Sequence, residues 1–100
     1  MYFSENELTG KYVTYMEIAT YPEKFSDDIT VEISTESEDH CIIVLSNHLG
    51  RILRMMGVNV IKGKNHIHVD NVNSLEAGIY QLSVKNTNSN ILYSSILTKF

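Results

Sequence analysis

Apolar and polar residues alternate along this chain in short runs. Ile29, Val31 and Ile33 fall on one side of a two-residue period, and Thr30 and Glu32 fall on the other. That is the pattern of a strand with one dry face and one wet face. Residues 79–85 repeat it, with Tyr80, Leu82 and Val84 expected inward. Runs rich in Val, Ile, Thr and Tyr predict strands near 12–20, 29–34, 40–45, 51–56, 65–70, 79–85 and 91–98. Within the third run, Ile42 and Val44 are expected to be mainly buried. No stretch sustains a helical period. Seven short strands with no helix to cover a sheet predict an all-β fold, a seven-stranded immunoglobulin-like antiparallel β-sandwich, with a small barrel as the alternative.

Turn chemistry fits that plan. Asn47-His48-Leu49-Gly50 separates two apolar runs, and a hairpin loop ending in glycine can set that glycine at positive φ without steric cost. Lys62-Gly63-Lys64 and the polar stretch 86–90 read as further hairpin turns. Pro22 falls where the first strand must end. Residues 1–11 read as a flexible lead-in and 12–100 as one domain.

Leu75-Glu76-Ala77-Gly78-Ile79-Tyr80 carries the most structural information. Leu75 can anchor a corner in the core, and Gly78 can turn the chain. Tyr80, opening the next strand, can return its hydroxyl to an upstream backbone group. This is the tyrosine corner of Greek-key sandwiches.

Composition narrows the chemistry. The apolar share of 43% and charged share of 20% suit one small folded core. The net charge is −4 and the eight Lys and Arg are scattered, which argues against nucleic acid. Neither a membrane span nor a secretory leader is visible. Cys41, the single cysteine, lies in an apolar run and reads as a buried small hydrophobe.

His66 and His68 share a strand face and could share a metal, but the surrounding alternation assigns both to the solvated side. The carboxylates at 27–28 and 36–39 read as solvated loops rather than a calcium cage. No nucleophile elbow, phosphate loop or Cys–His pair is present, so no catalytic residue, cofactor or metal is expected.

Several separated pieces form an ordered set. Tyr21-Pro22-Glu23-Lys24-Phe25 keeps the first, second and last members of a Tyr-Pro-Asn-Pro-Phe opening. A strand at 29–33 follows, then a turn with Gly50-Arg51 in which Asn47 stands where aspartate is usual, and then a turn glycine, Gly63. Leu75, Ala77, Gly78 and Tyr80 match a Leu-Pro-Ala-Gly-x-Tyr corner with Glu76 in place of proline, and a last hairpin ends with basic Lys99. In this order the pieces resemble the type A C-terminal sorting domain of the type IX secretion system, carried by exported proteins of Bacteroidetes.

The resemblance implies a non-catalytic domain recognised by an outer-membrane translocon and commonly removed by a sortase-like peptidase. It also implies transit from the periplasm to the cell surface or medium. Recognition is expected in the last hairpin, at Ile91, Leu92, Tyr93, Lys99 and Phe100. The alternative is a free-standing binding or adhesion module that presents a sheet edge or loop cluster to a protein or glycan. Tyr2, Phe3, Tyr12 and Tyr15 are candidates for that surface.

Overall fold

A computed structural model describes residues 16–100. The expected lead-in and the aromatic candidates at 2, 3, 12 and 15 lie outside those residues. Eight strands follow in order: β1 (Met16–Tyr21), β2 (Lys24–Phe25), β3 (Ile29–Thr35), β4 (Asp39–Asn47), β5 (Ile52–Val60), β6 (Gly63–Val69), β7 (Gly78–Lys85) and β8 (Ile91–Lys99). They form a three-stranded sheet, β1-β3-β6, and a five-stranded sheet, β2-β8-β7-β4-β5.

The architecture is all-β with two sheets, but it corrects the seven-stranded, wholly antiparallel expectation in two ways. β2 is an additional strand, and it pairs with β8 in parallel. Two residues are too few to show a period, so β2 left no alternation to read. The Lys62–Lys64 segment is likewise no hairpin, because it carries the chain from β5 in one sheet to β6 in the other.

The core lies between the sheets. Ile29, Val31, Ile33 and Thr35 enter it from β3, and Tyr80, Leu82 and Val84 enter from β7. In β4, Cys41, Ile43 and Leu45 point inward, with Ile42 and Val44 on the outer face. The run from Cys41 to Leu45 is apolar at every position, so a two-residue period could not choose between its faces. Val44 is nevertheless only 5% exposed, since β4 is flanked by β5 and β7, with Met55 and Ser83 as its partners. Burial, followed by the negative charge of Asp39, pushes the Cys41 thiol above its ordinary value. The thiol is therefore held neutral and enclosed, as a core residue.

The two sheets are joined by side chains as well as by the core. The Thr20 and Tyr93 hydroxyls lie 2.9 Å apart across the interface. Asn65 closes the turn into β6: its Oδ1 accepts from Ile61 N, and its Nδ2 donates to Ile61 O and Ile33 O.

Candidate functional site

Four of the sequence pieces meet at one end of the sandwich. Phe25, fully buried, sets its ring edge-on to Tyr80, with centroids 6.0 Å apart and planes at 64°. Tyr80 is paired with Leu97 on one side and Asn47 on the other. Its hydroxyl donates to Glu76 O at 2.6 Å, closing the expected corner. Gly78 has φ +149 and Gly50 has φ +82, so both glycines occupy backbone regions that side chains resist.

The turn beside the corner is built by Asn47. Its Oδ1 accepts from Leu49 N and Arg51 N, both at 3.0 Å, and Gly50 N donates to Asn47 O. β2 then holds the end of β8 from the far side: Thr98 N donates to Glu23 O and Phe100 N to Phe25 O. The end of β8 is thereby fixed between β2 and β7. An open cleft of ≈ 280 Å³ separates turn and corner, with Asn47, His48, Leu53, Leu75 and Glu76 among its walls.

These contacts explain why three departures from the motif are compatible with the fold. Glu23 and Glu76 contribute backbone carbonyls, which any residue supplies, proline included. Asn47 contributes a side-chain oxygen that accepts two N–H groups, as an aspartate would.

Beside exposed His48, Arg51, Glu76 and Gln81, this end also turns apolar side chains outward: Leu49 at the turn tip, Ile79 on β7, Ile96 on β8, and Phe100, which is 67% exposed. Phe100 and Ile96 lie in the last hairpin singled out from sequence. Leu49 and Ile79 lie outside that hairpin, and an isoleucine on the polar phase of β7 is the sequence sign of the latter's exposure.

The other expected recognition residues divide. Ile91 is exposed but at the opposite end of β8 from Phe100. Leu92 and Tyr93 pack against the core, Tyr93 also meeting Thr20. Lys99 is half-buried, and its Nζ donates to Phe100 O. Gly63, at φ +105, opens β6 away from this end, opposite Thr35.

The family model for the secretion system C-terminal sorting domain matches residues 19–98, a span that holds the opening, the Asn47–Arg51 turn, the corner and the last hairpin as far as Thr98. The chain belongs to this family. No curated protein sequence matches this chain. Its fold is similar to part of a β-glucosidase from Kluyveromyces marxianus, with a TM-score of 0.52 at 14% identity, over 95% of this chain and 17% of that one. A β-glucosidase from Listeria innocua gives a TM-score of 0.52 at 11% identity, over 86% and 16%. The sorting domain thus spans under a fifth of either enzyme, and the likeness is one of fold.

On the outer face of the three-stranded sheet, His66 Nε2 lies 3.1 Å from Glu32 Oε1, Lys64 Nζ lies 3.8 Å from Glu32 Oε2, and Tyr21 donates to Glu32 at 3.4 Å. Partial desolvation, then the charge and hydrogen bond of Glu32, push the Tyr21 phenol above its ordinary value. His66 and His68 are both on this solvated face, as the alternation predicts. Among the described residues no three His, Cys, Asp or Glu side chains converge as metal ligands. No helix there is long and apolar enough to cross a membrane.

Proposed function

We propose that this sorting domain is a folded address, bound by the type IX secretion machinery so that an attached protein is carried across the outer membrane to the cell surface or medium. The supporting observation is the convergence of the family's separated motifs on the end of β8, beside exposed Ile79, Ile96 and Phe100. The domain acts by being bound, with the translocon as first partner and a sortase-like peptidase as a later one. The corner and β2 hold the terminal strand in a fixed conformation, which lowers the ordering cost when a receptor reads it.

The structure also dictates the design of the test. Deleting residues 91–100 would remove a strand from between β2 and β7, and with it buried Leu97, so loss of export would report only unfolding. The whole chain is instead fused behind a reporter that carries its own Sec signal, in a Bacteroidetes host with and without an intact type IX translocon. The reporter is expected on the surface or in the medium of the intact host alone. A folded, uncleaved fusion held in the periplasm of both hosts would overturn the proposal.

A further inference from the structure

The register of the three-stranded sheet sets the side chains of its outer face in rows across β1, β3 and β6. Glu17, Ser34 and Lys64 form one row, Ala19, Glu32 and His66 the next, and Tyr21, Thr30 and His68 the third. His66 and His68 are two residues apart on one strand, so their backbones are about 6.6 Å apart along it and their rings share a face. Glu32 is the direct cross-strand neighbour of His66 and the diagonal neighbour of His68. Two imidazoles and a carboxylate thus surround one point on the sheet.

Two of these donors have already converged. The separation of 3.1 Å between His66 Nε2 and Glu32 Oε1 is that of a hydrogen bond, and it is also the edge of a coordination shell. Two ligands at about 2.0–2.1 Å from one zinc ion stand about 2.9–3.4 Å from each other. The third donor needs a ring rotation. His68 Nδ1 lies 3.4 Å from Thr30 Oγ1, at the long limit of a hydrogen bond, so turning the ring toward His66 gives up little. Tyr21 donates to Glu32 Oε1 at 3.4 Å and can orient the carboxylate, as outer partners of metal ligands do. Lys64 Nζ, 3.8 Å from Glu32 Oε2, opposes a cation. An open cleft of ≈ 340 Å³ beside Glu32, with Glu17, Ala19 and Ser34 among its walls, leaves room for water to complete the shell.

We infer that Glu32, His66 and His68 form a surface site for a divalent late first-row metal ion of the zinc type. Imidazole nitrogen suits such ions, whereas calcium and magnesium take shells of oxygen. Coordination uses the Nε2 lone pair of His66, so the proton that nitrogen donates to Glu32 moves to Nδ1 or leaves to solvent. The bound ion would tie β3 to β6. The site lies on the sheet that does not carry the corner, and the inference does not depend on the sorting role.

The probe is zinc chloride, titrated into the isotope-labelled full chain and followed by the imidazole nitrogen shifts, with magnesium chloride as the control. Zinc is expected to move the His66 and His68 nitrogens together. His40, whose Nδ1 is 2.7 Å from Asn59 Oδ1, and His48 are internal references and should stay in place. His66→Gln and His68→Gln, at exposed positions, should keep the amide spectrum of the parent and bind zinc at least about tenfold more weakly. Glu32→Gln should weaken binding as well, and Lys64→Gln should tighten it by removing the competing cation. No shift at millimolar zinc, equal shifts at every histidine, or an equal response to magnesium would each overturn the inference. So would unchanged affinity after loss of His66, His68 or Glu32.

Discussion

At the corner, single atoms decide the outcome. Tyr80→Phe keeps the ring against Phe25 and removes only the donor to Glu76 O. It is expected to cost about 1 kcal/mol in urea unfolding, the net value of one protein hydrogen bond. Equal stability of the two proteins would show that the hydroxyl contributes nothing. Gly78→Val should cost on the order of 1–3 kcal/mol through backbone strain. A Cβ at Gly78 meets nothing within 4 Å, so the cost comes from φ +149 and not from a clash. Gly78→Ala should therefore recover little of the loss, an outcome that separates strain from crowding.

At the level of elements, the strands that could be placed from sequence were those with one wet face and one dry face. β3 and β7 were placed with their correct inward residues because Thr30, Glu32 and Gln81 mark the outside. β4 was placed without a phase, because an unbroken apolar run carries none. β5 was predicted to stop near 56, yet it continues through Gly57 to Val60, where glycine and asparagine imitate a turn.

The corner was legible because its chemistry is local in sequence, with Tyr80 reaching back four positions. The contact of Phe25 with Tyr80 was not, since it joins residues 55 apart. β2 therefore depends on that long-range anchor. Phe25→Ala is expected to cost about 3–5 kcal/mol and to expose the Thr98 and Phe100 amides to exchange before those of β7. Unchanged protection at Thr98 would show that the strand is held without the ring.

For the whole molecule, the two outer faces differ. The three-stranded sheet turns Glu32, Lys64, His66 and His68 to solvent, while the five-stranded sheet shows Ile52, Met55, Ile79 and Ile96. If the corner end is where the secretion machinery reads the domain, Ile79→Glu/Ile96→Glu should stay within about 1 kcal/mol of the parent, as exposed substitutions usually do. Reporter export should nevertheless fall several-fold. Full export from a folded double variant would place the reading surface elsewhere on the domain.

The position of β8 also bears on how the fold is reached. Chains are synthesised from the amino end, and β8, the last strand in order, is inserted between β7 and β2. Until β8 emerges, β7 and β2 lack their shared partner, and Phe25 has no strand to hold it against Tyr80. The sheet can close only through pairings such as Phe25 with Lys99, 74 residues apart in sequence. A nascent chain interrupted before residue 91 is left with two unsatisfied edges and a cored-out interior, a substrate for proteases. The topology thus makes β8 the condition for protease resistance, because the sheet stays open on both sides of its place until that strand is paired.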